Sequence, residues 1–248
     1  MDAILSVSQL TGGYSVGRPV LHNIDFQVKP GEMVGLIGLN GAGKSTTIKH
    51  ILGLLQAHKG SIRVNGKQLS EDPQQYRSAL AYVPESPLMY DELTVREHLE
   101  LTAMAYGLSK EAYESRRTKL VREFQMEEKL NGFSQHLSKG MRQKMMIMNA
   151  FMVEPALYII DEPFLGLDPL GIRSLLDLMV SMKEEGAAIL MSSHILATIE
   201  KYCDSYVVLH KGRMAATGTL EQITEQAGCP GQPLEDAFYA LVKDGPTA

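Results

Sequence analysis

The chain has 248 residues, 44% of them apolar and 21% charged, which is ordinary globular usage and excludes a disordered or collagen-like chain. That length allows one large α/β domain, alone or with a small accessory lobe, and needs no disulfide or metal to complete its core. Twenty-four basic residues against 29 acidic ones leave a net charge of −5, so a protein that reads nucleic acid through bulk electrostatics is disfavoured.

Met1-Asp2-Ala3-Ile4 has no basic region ahead of an apolar stretch, so no signal peptide is expected. Residues 4–8 alternate apolar and polar, as a half-buried strand does, up to the break at Gly12-Gly13. Leu21 to Val28 alternates again, and Ser61 to Val64 with the residues after Asn65-Gly66 carries a hairpin signal. Together these predict a small antiparallel sheet. Met33 to Ile37, Leu157 to Ile160, Ala187 to Met191 and Tyr206 to Leu209 are continuous apolar runs that suit a parallel sheet covered on both faces. Helical patterns over Lys44 to Leu55 and Gly171 to Glu185 separate them, giving a doubly wound α/β core.

Between about 86 and 154 the pattern turns helical and rich in Met, with Thr94 and Glu97 spaced as a capping box, which predicts an inserted helical lobe. The methionines at 141, 145, 148 and 152 lie at helical spacing and read as core. From Thr219 onward the periodicity is weak, and no element is assigned; residues 226–248 are expected as a tail beyond a single domain spanning 1–225. Gly186 to Ile199, a long uncharged run, is too short and polar to span a bilayer. Cys203 and Cys229 match no ligand-pair spacing and read as free thiols in a reducing compartment. A soluble cytoplasmic protein is expected, with any membrane function supplied through a partner.

Gly38-Leu39-Asn40-Gly41-Ala42-Gly43-Lys44-Ser45 fits G-x-x-x-x-G-K-[ST] between an apolar strand and a helix. Such a loop turns successive N–H groups inward around phosphate oxygens, with the helix dipole behind it. Lys44 can then reach the β- and γ-phosphates, and the Ser45 hydroxyl can ligate Mg²⁺. Asp161 and Glu162 end an apolar strand expected to lie beside the phosphate-loop strand, with ligands at the carboxyl edge. There Asp161 can hold Mg²⁺ through water and Glu162 can polarise an attacking water. His194 follows another apolar strand and would emerge on the same edge. Tyr14 precedes the second predicted strand, where its ring serves equally as a turn residue or as a platform for a base. Leu137-Ser138-Lys139-Gly140-Met141 opens a helix running to about Phe151, with Ser138 placed as its cap.

In this order, from Tyr14 to about Leu220, the motifs resemble the nucleotide-binding subunits of ATP-binding cassette (ABC) transporters. The resemblance implies a P-loop, RecA-like parallel core with an antiparallel β subdomain and a helical subdomain, binding ATP and Mg²⁺. It implies that Tyr14 stacks on adenine and that Gly38 to Thr46 forms the Walker A loop. It makes Leu157 to Glu162 Walker B, with Asp161 on magnesium water and Glu162 as general base, and His194 the switch histidine on the γ-phosphate. Gly166-Leu167-Asp168 becomes the D-loop of a dimer in which Ser138 and Gly140 complete the nucleotide site of the opposite chain. Glu85 stands where the family usually has Gln, and as a carboxylate it can still accept from water or ligate Mg²⁺. Lys139 and Met141 replace the third and fifth residues of the usual Leu-Ser-Gly-Gly-Gln signature. Val-Pro-Glu with Leu-Ser-Lys-Gly-Met is most similar to the Ecs-type ATPases of Gram-positive bacteria. These imply a separate transmembrane permease, peripheral attachment at the inner face of the membrane, and export of a peptide- or protein-related substrate. In the family, the residues after position 85 and the helical lobe receive the permease, which points to Leu88, Met89 and Tyr90 as interface or core. Two other classes compete. A soluble non-transport ABC ATPase would bring a soluble partner, and a P-loop kinase would leave Ser138 and His194 unexplained.

Overall fold

Alternating burial builds the first sheet of the computed structural model, which describes residues 2–243. Strand β1 (Leu5–Gly12) buries Leu5, Val7 and Leu10. The three-residue step from Val7 to Leu10 is absorbed by Gln9, whose φ of 50° breaks the register there. β2 (Leu21–Val28) pairs antiparallel with β1 along Leu5↔Val28 and buries Leu21, Ile24, Phe26 and Val28. β3 (Met33–Ile37) is buried at every position and leads through the phosphate loop into helix α1 (Lys44–Ile51). β4 (Lys59–Val64) joins the other edge of β1, giving the order β2-β1-β4. The hairpin expected at Asn65-Gly66 is only a turn. Both residues take positive φ as such a turn demands, but the chain beyond forms a single bridge, Val64↔Lys67. Lys67 to Ser70 offers only Leu69 for burial, whereas β1 offers β4 an apolar face.

The chain continues through α2 (Pro73–Ser78) and β5 (Leu80–Val83), a strand of four residues, too short to stand out in the sequence. The helical lobe follows as α3 (Val95–Ala105), α4 (Lys110–Glu123) and α5 (Lys139–Val153). The capping box forms at the start of α3: Glu97 N–H donates to Thr94 Oγ1 at 3.3 Å, and Thr94 N–H donates to Glu97 Oε2 at 2.7 Å. Met145, Met148 and Met152 of α5 are fully buried and Met141 packs against the same core, as expected. Leu88 and Tyr90 are exposed, while Met89 packs on the lobe.

The core resumes with β6 (Leu157–Asp161), α6 (Pro169–Glu184), β7 (Ala188–Ser192), α7 (Leu196–Tyr202), β8 (Ser205–His210) and β9 (Arg213–Gly218). The second sheet has the order β5-β6-β7-β3-β8-β9, parallel except for β9. This corrects the expectation that the Asp161 strand lies beside the phosphate-loop strand, because β7 runs between them. Ser192 is opposite Leu36 on one side and Asp161 on the other. Two strand spacings, about 9.6 Å, therefore separate β3 from β6 and leave room between the loops at their ends. Period two divides the sheet's faces. Val34, Leu36, Ile159 and Leu190 pack toward α1 and the antiparallel sheet, while Met33, Ile37, Ile160 and Met191 pack toward α5, α6 and α7.

The segment after Thr219, left without an element, folds into α8 (Leu220–Gln226) and α9 (Leu234–Lys243). Pro230 and Gly231 separate two helices rather than preventing them, and Thr219 with Gln222 makes a second capping box. Leu234, Ala237 and Phe238 bury one face of α9, and Leu234 N–H donates to Glu200 Oε2 of α7 at 2.9 Å. The last five residues of the expected tail lie outside the described residues. Among the described residues both cysteines are free, and no helix is long and apolar enough to cross a membrane.

Met148→Ala removes a fully buried side chain that bridges lobe and sheet. It is expected to cost about 2–5 kcal/mol, read as a lower midpoint in urea denaturation.

Candidate functional site

The carboxyl ends of β3, β6 and β7 meet along one edge of the sheet, and the loops leaving them carry the residues that the sequence singled out. The phosphate loop curls through Gly41 at φ 79° and Gly43 at φ 113°, both in the left-handed region that glycine adopts without strain. A Cβ on Gly43 would also lie 2.6 Å from Leu21. Ala42 N–H donates to Leu39 carbonyl at 3.0 Å, which closes the loop, and Thr47 N–H returns to Gly43 carbonyl at 2.8 Å as α1 begins. Lys44 is buried, and its Nζ donates to Gly38 carbonyl at 2.8 Å, so the ammonium lies inside the cradle. Ser45 and Thr46 occupy the first turn of α1, and Gly38 and Asn40 begin the loop.

Asp161 ends β6 with its side chain buried and accepts a hydrogen bond from the Ser192 hydroxyl. Burial pushes its carboxyl above the usual carboxylate range. The charges of Glu85 and Glu162 push the same way, and Ser192 and Lys44 pull against them. Tyr82, on the adjacent strand, is pushed up to about 12 by burial and then by the Asp161 and Glu85 charges. Two further carboxylates and one ammonium thus act on Asp161. Among the described residues no three His, Cys, Asp or Glu side chains converge as a metal cage. That donor set fits a hard divalent cation held by one or two protein oxygens together with substrate phosphates, which is how Mg²⁺ is commonly bound.

Glu162 has φ 45°, a conformation that costs a non-glycine residue on the order of 1 kcal/mol. Its Oε2 accepts from the His194 backbone N–H at 3.1 Å and lies 2.7 Å from His194 Nδ1. An ionised carboxylate only accepts, so Nδ1 carries the proton and Nε2 is left to meet another group. The acid and the histidine come from neighbouring strands, β6 and β7, and are thereby brought together.

Tyr14 lies in the β1–β2 loop and is 59% exposed, and Lys49 Nζ sits 5.2 Å from the ring centroid and 3.4 Å from the hydroxyl. A hydrogen bond with Thr46 and the nearby Lys49 lower its phenol below the ordinary value. Beside it opens a cavity of about 610 Å³, lined by Gly13, Tyr14, Val16, Pro19 and Leu54 among others.

Ser138 caps α5, its Oγ accepting from Met141 N–H at 3.3 Å. Gly140 has no room for a side chain, since a Cβ there would stand 2.5 Å from Gly166 carbonyl. Asp168 caps α6 through Gly171 N–H at 2.6 Å and pairs with Lys144 Nζ at 2.8 Å. The structure therefore brings Lys44, Glu85, Asp161, Glu162 and His194 to one edge, while Ser138, Gly140 and Asp168 cluster where α5 meets the loop before α6. Sequence reasoning missed Ser192, which holds Asp161, and Lys144, which holds Asp168. The polar Ser192 closing an apolar strand was a readable signal, but no spacing rule pairs Lys144 with a residue 24 positions on.

These elements define a P-loop nucleotide site. The sequence matches the family described as "ABC transporter" over residues 21–165, and the chain belongs to that family as an ATP-binding subunit, an ATPase that hydrolyses ATP to power transport. It is 59% identical to the ABC-type transporter ATP-binding protein EcsA of Bacillus subtilis, over 98% of each chain. It is 40% identical to the uncharacterized ABC transporter ATP-binding protein YthP of the same organism, again over 98% of each. Among solved structures, an ATP-binding subunit of an ABC transporter superposes with a TM-score of 0.94 at 55% identity, over 96% of this chain and 99% of that one. CbiO1 of Clostridium perfringens, part of the ABC transporter complex cbiONQ, gives 0.76 at 27% identity over 91% and 92%.

The Lys144 ion pair holds the Asp168 carboxyl below the usual carboxylate range, with Gly171 N–H adding to it. Lys144→Met is expected to raise the Asp168 pKa, read by carbon NMR of the side-chain carboxyl. Because that pKa is depressed in the folded chain, whatever stability the pair adds is present at neutral pH and lost as acid protonates Asp168.

Proposed function

We propose that the edge formed by β3, β6 and β7 hydrolyses ATP with Glu162 as general base, and that the work drives a separate transmembrane permease. The observation that carries this is the Glu162–His194 pair, 2.7 Å apart, beside the buried Asp161 and the Lys44 cradle. In this reading Gly38, Asn40, Gly41, Gly43 and Thr46 supply the loop that wraps the phosphates, and Lys44 bridges the β and γ groups. Tyr14 offers its exposed face to adenine. Ser45 and Glu85 would ligate Mg²⁺, and Asp161 would hold a water on it. The ion would neutralise charge building up on the phosphates. His194 fixes the Glu162 carboxylate through Nδ1 and presents Nε2 to the γ-phosphate. Glu162 takes a proton from water as its oxygen bonds the γ-phosphorus and the bond to the bridging oxygen breaks, leaving ADP and phosphate.

Ser138, Gly140 and Asp168 lie apart from this edge and serve a nucleotide held by an opposing ATPase subunit, either a second copy of this chain or a paired one. Ser138 offers a hydroxyl at a helix start, a place suited to anions. The permease reading is supported by the likeness to cbiO1, part of the complex cbiONQ, and by the exposed Leu88 and Tyr90 beside the lobe. It places the chain at the inner face of the membrane. Export of a peptide- or protein-related substrate is supported by the resemblance to Ecs-type subunits.

Glu162→Gln is expected to bind ATP but turn it over about 10²- to 10⁴-fold more slowly and to collect as a dimer on a sizing column. Normal turnover by that variant defeats the general-base assignment. Lys44→Ala should abolish turnover and weaken nucleotide binding in a fluorescence titration, and undiminished turnover removes the lysine from the site.

A further inference from the structure

The side chain of Gln143 lies on α5, a turn and a half beyond Ser138, and is 1% exposed. Its Nε2 faces two backbone oxygens, Pro84 carbonyl at 3.5 Å and Pro163 carbonyl at 3.4 Å. A primary amide has two N–H donors, one for each. The Pro84 carbonyl belongs to the peptide bond entering Glu85, and Pro163 directly follows Glu162. One buried amide therefore touches both loops that carry acids to the nucleotide edge. Proline fixes φ near −65°, which limits backbone motion at both contact points, and the Pro163 ring nitrogen is bonded to the Glu162 carbonyl carbon. Both contacts are long for N–H···O bonds, and among the described residues no donor reaches Gln143 Oε1. A movement of either loop by a few tenths of an ångström changes these bonds steeply.

We infer that Gln143 is a positioning residue, which ties the helical lobe to Glu85 and Glu162 so that the placement of α5 sets the placement of both carboxylates. This rests on the reading of Glu162 as the base. Gln143 does not touch nucleotide. It acts on the two loops, and its loss should slow turnover while leaving ATP binding in place.

The test is steady-state ATP hydrolysis by the full chain, with turnover counted per bound nucleotide so that misfolded protein drops out. Gln143→Met keeps the volume and removes both donors. It is expected to lower kcat about 10- to 100-fold while KM for ATP and the melting temperature stay close to those of the unaltered chain. In Gln143→Glu a carboxyl faces two carbonyls in a buried site, which raises its pKa. Its protonated form donates one bond, so this variant should recover activity as pH falls, unlike Gln143→Met. Unaltered kcat in Gln143→Met overturns the inference, as does a loss that follows nucleotide binding or melting temperature, or a Gln143→Glu profile parallel to that of Gln143→Met. Glu162→Gln is measured alongside. Normal turnover there defeats the base assignment beneath the proposal, whereas a silent Glu162→Gln with an active Gln143→Met defeats the positioning role alone.

Discussion

Asp161 is a carboxylate at the end of a fully buried strand, in the company of two further acids, and the geometry around it follows from keeping it there. Burial and like charge both disfavour its ionised form. A hydroxyl on one side and an ammonium deep in the neighbouring loop oppose them. Both depend on β7, which supplies Ser192 and holds β3 and β6 apart. Were β6 adjacent to β3, Ser192 would no longer stand between the acid and the phosphate-loop strand, and Asp161 would lose the hydroxyl that holds it. The strand order thus sets which hydroxyl reaches the acid.

The same edge shows local strain beside firm support. Glu162 takes a left-handed backbone, and its carboxylate is held by the backbone and the ring of His194. Such a conformation persists only where its surroundings determine it. Here those surroundings are the paired ends of β6 and β7, and the Pro163 carbonyl reaches the lobe through Gln143.

Much of this was legible in the sequence. Gly38 to Ser45 is a pattern whose chemistry is local, so spacing alone places Lys44 and Ser45. The apolar runs reveal a parallel sheet because burial on both faces erases alternation. Strand order is another matter. Nothing in the composition of Leu157 to Asp161 or Ala188 to Ser192 says which of them borders β3, and the expectation of direct adjacency failed there. The Asn65-Gly66 turn was recognised correctly, but turn chemistry fixes only the turn. The partner of β4 was decided by the apolar face that β1 offered. α9 escaped notice behind the Gly-Pro interruptions before it, although Leu234, Ala237, Phe238 and Leu241 follow helical spacing and pack on the core. Lys144 and Gln143 were unreadable because their partners are distant in the chain.

At the start of α5 the backbone of Gly140 sits so close to Gly166 that not even a methyl group fits between them, and the Lys144–Asp168 pair fastens the same seam one turn along. The lobe and the α6 loop thus abut with no gap between them, and a neighbour docking on either segment meets both at once.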